Sequence, residues 1–346
     1  MSMRQPEPRV SVLIPAHDAE STIADALTSV LSQRGPTFEI ILVDDGSQDR
    51  TLEYARRAAA GDPRLRIIEH GSNSGRPAAR NTAFAAARGS YVAMLDADDR
   101  FAPTRLARQV AFLDSHPEID VVGSWWQGMD ADGRLRAAKK NQRALSPEAV
   151  DCYLLFRGII HNPTVMARRQ ALAGFEYDPA FPVAQDYDLW ARMQIAGHRF
   201  AQIPEVLLYY RQHAAQASIA RASEARARRC DIQARLLTAL GMTFTRDDVI
   251  RHNLLYTGRR LYLAHTGRPM DRAFLDWAER WFCRLVDANQ KSEFYPEPAF
   301  TDLVARLWVD CARKAARQAG RPYAVKTVLS SELGRHYLRR RITNSG

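Results

Sequence analysis

The chain of 346 residues carries 49 Lys and Arg against 39 Asp and Glu, a formal charge of +10, with 46% hydrophobic and 25% charged residues. This is the balance of a soluble globular protein with enough apolar material for two ordinary domains. No apolar run approaches the roughly 18 residues that a membrane-spanning helix requires. Residues 1–8 are polar and lack the apolar core of a secretory signal, so a cytoplasmic location is expected. Cys152, Cys230, Cys283 and Cys311 are scattered without paired spacing and read as reduced thiols.

Short β-branched runs at residues 10–14, 39–43, 65–68 and 91–95 alternate with helical patterns, which predicts βαβ units and a mainly parallel sheet. Between them Ile23, Leu27, Val30 and Leu31 recur at helical spacing, and residues 78–87 are Ala-rich around Phe84. Pro103 suits a helix's first turn, with Leu106, Val110 and Leu113 along one face. Residues 129–148 break the rhythm, since Asp130-Ala131-Asp132-Gly133 is turn chemistry, and a hairpin or mobile loop is expected there. A helix over 186–196 and a strand over 206–210 follow. Beyond about residue 220 the pattern is purely helical, through Ile232, Leu236 and Leu240, then Phe274, Trp277, Trp281 and Leu285, then Leu303, Val304 and Leu307. Domains at 1–219 and 220–346 are therefore expected.

The charge is uneven, because residues 301–346 hold ten Lys and Arg against three Asp and Glu. Such asymmetry points to an anionic neighbour. No zinc finger, RNA-binding aromatic motif or basic zipper accompanies it, so nucleic acid is not expected and an anionic membrane surface remains. Only five of the 49 basic residues are Lys, so an Arg-rich bias on a solvated face accounts for the same excess.

Candidate chemistry gathers where strands end. Leu95-Asp96-Ala97-Asp98-Asp99 follows a buried run, where open α/β sheets present ligands, and its alternate carboxylates suit a ribose and a hard divalent ion bridging two phosphates. Mg²⁺ or Mn²⁺ fits such a site. After the second run, Asp44-Asp45-Gly46-Ser47 offers short acids and a Gly for a close turn, or simply a helix cap. Arg80 lies early in a helix that opens after Gly75, a setting that suits a phosphate clamp. In Gln185-Asp186-Tyr187-Asp188-Leu189-Trp190, Asp186 could accept a proton or cap the following helix. Trp125-Trp126 could be a platform for a sugar ring or core packing.

The ordered set Val12-Leu13-Ile14-Pro15 with His17-Asp18 and Glu20, Val43-Asp44-Asp45-Gly46-Ser47, Gly75 with Ala79-Arg80-Asn81, Leu95-Asp96-Ala97-Asp98-Asp99 and Gln185-Asp186-Tyr187-Asp188-Leu189-Trp190 resembles the family 2 glycosyltransferases. The resemblance covers about the first 220 residues. It implies an α/β GT-A fold, Rossmann-like with flanking helices, followed here by the helical C-terminal region. It further implies an inverting transfer of a sugar from a nucleotide diphosphate to an acceptor hydroxyl, in cell-surface polysaccharide or glycoconjugate synthesis. On it, Asp186 is the catalytic base, Asp98 holds the metal, and Pro15, His17, Glu20, Asp45, Arg80, Asp96 and Arg211 bind the nucleotide sugar. Two softer matches, His161-Asn162-Pro163-Thr164-Val165-Met166 and Tyr210-Arg211-Gln212-His213, add His161 as a site residue and His213 as a second metal ligand. His17-Asp18 stands where the family often has an aromatic and Asn, and Gln185 where it often has Glu.

The partners so implied are a UDP-sugar and a glycan or lipid-linked glycan acceptor, with peripheral membrane contact through the basic C-terminus; a homo-oligomer is compatible. The competing reading is a noncatalytic nucleotide-sugar-binding or scaffold protein on the same fold. A nucleotidyltransferase is excluded because no Gly-rich, Arg-containing loop follows the first strand, and a dehydrogenase because no G-x-G-x-x-G does.

Overall fold

Four apolar runs form the parallel half of one sheet: β1 (Val10–Ala16), β2 (Phe38–Asp44), β3 (Leu65–Glu69) and β4 (Tyr91–Met94). Every residue of β2 and β4 is buried, and β1 falls short only at Pro15, as parallel strands covered on both faces require. The computed structural model describes residues 7–137, 144–212 and 221–343. By packing the chain divides into two units, 1–147 with 158–225, and 148–157 with 226–346.

The sheet has eight strands in the order β3-β2-β1-β4-β7-β6-β8-β5, adding β5 (Arg100–Phe101), β6 (Val121–Met129), β7 (Met166–Arg168) and β8 (Phe200–Arg211). β1 pairs in parallel with β2 and β4, and β2 with β3, whereas β7 runs antiparallel to both β4 and β6. The sheet is thus mixed, with a second parallel pair between β6 and β8. Helices α1 (Ile23–Leu31) and α4 (Arg105–Ser115) share an apolar cluster with Val10, Val12, Ile14, Ile40 and Leu42. Alternation leaves Leu13, Ile41 and Val43 for the opposite face. Helices α2 (Thr51–Ala59) and α3 (Arg76–Ala85) belong to the same unit, and α3 packs on β1 and β2. Because β1, β2 and β4 are parallel, their carboxyl ends and the loops that follow open on one edge.

Several segments differ from expectation, and β5 and β6 are strands the pattern did not show. β8 begins six residues earlier than residue 206, because Pro204 interrupts the pattern. The proline falls where the β6 register shifts from Ser124↔Ile203 to Trp125↔Val206, so the ladder does not need its missing N–H. β7, of three residues, is too short to show a period. Helix α5 (Pro147–Leu154) packs with the second unit, since residues 148–157 belong to it. Of the expected hairpin, a turn with a Met129↔Leu135 bridge is present and residues 138–143 lie outside the described residues.

The second unit is helical: α7 (Ala222–Ala239), α8 (Arg246–Asn253), α9 (Arg259–Thr266), α10 (Arg272–Ser292), α11 (Ala299–Ala319), α12 (Arg321–Ser330) and α13 (Glu332–Thr343), with α6 (Gln185–Ile195) belonging to the first unit. Its core is aromatic, with Trp281, Phe282, Phe300 and Trp308 buried. Thr245 and Asp248 close a reciprocal cap on α8, and the Asp271 carboxylate accepts from Phe274 N on α10. Among the described residues no helix is long and apolar enough to cross a membrane.

Fully buried His252 sits between two partners: Trp281 Nε1–H donates to Nδ1 at 3.1 Å and Nε2 meets Leu155 O at 3.0 Å. Both contacts suit the neutral ring. Burial pushes its pKa down from 6.5 to about 4, with the Leu155 carbonyl opposing in part. The neutral form is therefore favoured on folding, so its stabilisation is present above about pH 6.5 and is lost as pH falls toward about 4, to a limit of about 3 kcal/mol. Thermal unfolding should show a fall in Tm from about pH 7 to about pH 5 that is smaller in His252→Asn. An NMR titration of His252 with a midpoint near 6.5 would contradict the burial argument.

Candidate active site

The loops after β1 and β2 hold one another. Asp18, at φ +46°, accepts from Gln48 N at 2.8 Å while its own N–H donates to Ser47 Oγ at 3.0 Å. Ala19 N donates to Thr51 Oγ1 at 2.7 Å, and Glu20 accepts from Arg50 N at 3.1 Å. Pro15 lies at the end of β1 beside Val43 of β2, and His17 Nε2 is 2.8 Å from Asn73 Nδ2 at the rim. The side chains of His17 and Glu20 are thus partly exposed on the edge that the strands open.

Asp45 is buried and serves this loop system directly. Its Oδ1 accepts from Ser74 N at 2.9 Å and contacts His70 Nδ1 at 2.8 Å, and its Oδ2 accepts from Gly75 N at 2.8 Å. His70 Nε2 in turn meets Thr82 Oγ1 at 3.0 Å on α3. Gly46, at φ +69°, allows the close approach of the 72–75 segment. Neighbouring Asp44, 2% exposed, accepts from Ser47 N and leaves Oδ1 without a partner.

Arg80 is buried on α3, its guanidinium 5.3 Å from the centre of the Tyr177 ring and its Nη2 donating to Asp96 Oδ1 at 2.6 Å. Burial opposes its charge, but Asp96 before all, then Tyr177 and Asp186, hold it above its ordinary pKa. Tyr177 is fixed by a reciprocal pair with Asn81, whose amide accepts from Tyr177 N at 2.8 Å and donates to Tyr177 O at 2.9 Å. Burial pushes the Tyr177 phenol far up; Arg80 opposes that, and Asp186 and Asp96 add to it.

Beyond β4 the chain turns, Asp99 N donating to Asp96 O, so that Asp96 and Asp98 are partly exposed and Asp99 is buried. Asp99 Oδ1 accepts from Arg211 N at 2.9 Å and Oδ2 has no partner. Burial, then the charges of Asp98 and Asp96, push its carboxyl well above the carboxylate range. Hard oxygen donors under mutual repulsion suit a divalent ion that takes one or two carboxylates and completes its shell with phosphate. Among the described residues no group of three His, Cys, Asp or Glu is arranged to hold a metal alone, and His213 lies outside the described residues.

Arg211 is buried, with Nε on Asp98 O at 2.8 Å, Nη1 on Ala131 O at 2.6 Å and Nη2 on Asp25 Oδ2 at 3.2 Å. Its fork thus ties the acidic turn to the 131 turn and to α1.

Asp186 occupies the first turn of α6, which begins after Ala184 at φ +56°. Its Oδ1 accepts from Tyr187 N at 2.9 Å and its Oδ2 from Asn162 N at 3.3 Å. Gln185 is buried and its Oε1 has no partner. The Asn162 amide joins the two clusters. Oriented to donate to Tyr177 Oη at 2.6 Å, it accepts from Arg80 Nη2 at 3.2 Å and Nε at 3.3 Å. Tyr210 marks the same convergence: burial first, then Asp99, Asp96, Asp98 and Asp186 all push its phenol up. Its ring lies 5.1 Å from that of Trp126, which meets exposed His161 edge-on at 5.7 Å.

The structure thus gathers Asp96, Asp98, Arg80 and Asp186, keeps His17 and Glu20 on the loop edge, and uses Asp45 and Arg211 as internal braces. Sequence reasoning missed Tyr177 and His70, which carry no motif and are found only through Asn81 and Asp45, and gave no role to Asn162 or Asp99.

The site is thus an acidic turn at the carboxyl edge of a mixed α/β sheet, linked through Asn162 to a second carboxylate, Asp186, at the start of α6. The glycosyl transferase family 2 pattern matches residues 11–175. An uncharacterized glycosyltransferase of Methanocaldococcus jannaschii is 30% identical over 207 residues, 59% of this chain and 71% of the relative. The succinoglycan biosynthesis protein ExoO of Rhizobium meliloti is 33% identical over 225 residues, 62% of this chain and 63% of ExoO. The chain belongs to the family 2 glycosyltransferases. In fold it is similar to S. aureus TarS 1–349 in complex with UDP-GlcNAc (TM-score 0.56, 18% identity, 89% of this chain and 88% of that one). It is also similar to the Pyrobaculum calidifontis mannosyltransferase PcManGT in complex with GDP-Man and Mn²⁺ (TM-score 0.53, 20% identity, 90% and 91%).

The Asp45 loop offers a direct test. A Cβ at Gly46 would lie 2.6 Å from the Ser72 carbonyl carbon and 2.7 Å from Asn73 N, on a backbone that disfavours L side chains. Gly46→Ala should destabilise the protein by roughly 2 kcal/mol and, by displacing residues 72–75 from Asp45, weaken nucleotide binding about tenfold, measured by urea unfolding and calorimetry. A variant with unchanged affinity would show that this packing does not shape the nucleotide site.

Proposed function

We propose that this glycosyltransferase moves a sugar from a nucleoside diphosphate, with a UDP-sugar as the favoured donor, to a hydroxyl of a glycan or lipid-linked glycan with inversion at the anomeric carbon. The observation that carries the reading is the continuous path from Asp186 through Asn162, Tyr177 and Arg80 to Asp96, which sets the two carboxylate clusters on either side of one buried link.

Asp186 takes the proton of the acceptor hydroxyl, a contribution of typically about 10²- to 10⁴-fold, and its two backbone N–H contacts fix the direction of its free lone pairs. Asp96 faces the ribose side of the donor. Asp98, with His213 as a second ligand, would hold Mn²⁺ or Mg²⁺; the bound ion would offset charge on the departing diphosphate. His17 and Glu20 line the nucleotide edge. Asp45, with Pro15 on the neighbouring strand, shapes the wall against the base through the 72–75 segment, and Arg80, paired with Asp96, and Arg211, which holds the Asp98 carbonyl, act on the phosphates. The names of relatives such as ExoO support a role in cell-surface polysaccharide synthesis, and TarS with UDP-GlcNAc and PcManGT with GDP-Man and Mn²⁺ support the donor class and the ion. The enzyme would then work from the cytoplasm at the inner face of a membrane bearing the lipid-linked acceptor.

Asp186→Asn keeps the shape of the side chain and removes its basicity, so transfer should fall by about 10²-fold or more while UDP affinity stays within about twofold. Equal turnover of variant and parent in a radiolabelled transfer assay would remove Asp186 from the role of base.

Asp98→Ala should abolish the Mn²⁺-dependent part of the thermal stabilisation by UDP while leaving the fold intact. An unaltered Mn²⁺ titration would place the ion elsewhere.

A further inference from the structure

Among the described residues eight large apolar side chains are exposed, and four of them, Val325, Leu329, Leu338 and Ile342, sit on α12 and α13 at 52%, 53%, 39% and 77% exposure. Their spacing is ordered. On α12 the exposed positions Pro322, Val325, Lys326 and Leu329 follow i, i+3, i+4, i+7, and on α13 Arg335, Leu338, Arg339 and Ile342 repeat that interval. Each helix therefore presents one exposed stripe that mixes aliphatic and basic groups. Arg321 and Arg341 are exposed as well, and Glu332 is the one carboxylate over residues 321–343.

The inward faces are already occupied within this unit. Ala324 and Leu333 are buried, Trp308 Nε1–H donates to Ser331 Oγ at 2.9 Å at the junction, and His336 and Arg340 reach Asp302 at 2.7 and 3.0 Å. The outward aliphatic groups are thus held in place on a docked scaffold, with no core left to fill.

We infer that the outward stripes of α12 and α13 dock the protein on an anionic lipid bilayer surface, Val325, Leu329, Leu338 and Ile342 entering the acyl boundary and the Arg and Lys side chains lying among lipid phosphates. This rests on the membrane-surface reading above and locates its contact. Mixed aliphatic and basic stripes on surface helices match the interfacial mode, in which burial of apolar area adds to attraction by anionic lipid. A second copy of the chain is a poorer occupant, because pairing like stripes opposes basic groups. Nucleic acid would use the cations and leave the aliphatic side chains without a role.

The test is vesicle flotation of the full chain with neutral phosphatidylcholine vesicles and with vesicles containing phosphatidylglycerol, at low and high salt. The parent should float with the anionic vesicles only, and salt should release it. Val325→Glu with Leu329→Glu, and separately Leu338→Glu with Ile342→Glu, should each cut binding about tenfold, with circular dichroism, Tm and donor hydrolysis in solution unchanged. If a glutamate pair unfolds the protein, Arg321→Gln, Lys326→Gln and Arg335→Gln replace it, each lowering binding about fivefold. Absence of parent binding to anionic vesicles, equal binding by the folded variants, or a parent dimer in light scattering that the variants dissolve would overturn the inference. An inactive parent that still floats would count against the catalytic reading and leave this surface standing.

Discussion

Three carboxylates, Asp96, Asp98 and Asp99, stand within four residues at the carboxyl end of β4, and the first unit is built around the need to keep them there. Their mutual repulsion would open the turn in isolation. Three arginines surround the turn, each from a different element. Arg80 reaches Asp96 from α3, Arg211 braces Asp98 and Asp99 from the end of β8, and Arg105 lies buried in α4, where Asp99 supports its charge. Burial pushes Arg105 down to about 9, which still leaves it protonated at neutral pH. It donates to Met94 O at 3.0 Å, Val165 O at 3.1 Å and Pro163 O, and so ties β4 to the short helical turn Asn162–Thr164 and to β7. A buried cation is costly unless fully bonded, so these carbonyls fix the antiparallel half of the sheet in register with the acidic turn.

Arg80 and Arg211 both lie against the acidic turn and are both tied to protein acceptors. Arg80 donates to Asp96, and the Nε and both terminal nitrogens of Arg211 meet the Asp98 carbonyl, the Ala131 carbonyl and Asp25. Displacing Arg80 would leave Asp96 without its ion-pair partner, whereas displacing the Arg211 guanidinium would release Asp25 of α1 and the Asp98 and Ala131 carbonyls.

The legible parts of the chain were those whose cause is local. Parallel strands covered on both faces read as apolar runs, and loops at their carboxyl ends must carry the polar residues, so β1 to β4 and the acidic turn stood out. The strand expected at 206–210 extends back through Pro204 to Phe200, and that a proline is harmless there depends on a register shift that only the pairing with β6 reveals. Residues 148–157 look like a continuation of the first unit, and packing assigns them to the second, where Leu155 O meets His252. Tyr177 was invisible for a stronger reason. Its place is set by Asn81, 96 residues earlier, and neither residue has a periodic or compositional signal that ties it to the other.

The two units solve the polar-group problem in opposite ways, and this bears on how each tolerates change. In the first, buried charges are bonded in networks that share members, so removing one partner strands another; Asn162 touches Asp186, Tyr177 and Arg80 together. In the second, caps and aromatic packing dominate, and His252 is kept neutral between Trp281 and Leu155. Substitutions in the helical unit should therefore add nearly independently where their contacts do not meet, whereas those along the Asp186 to Asp96 path should not, since each changes the field in which the next group ionises.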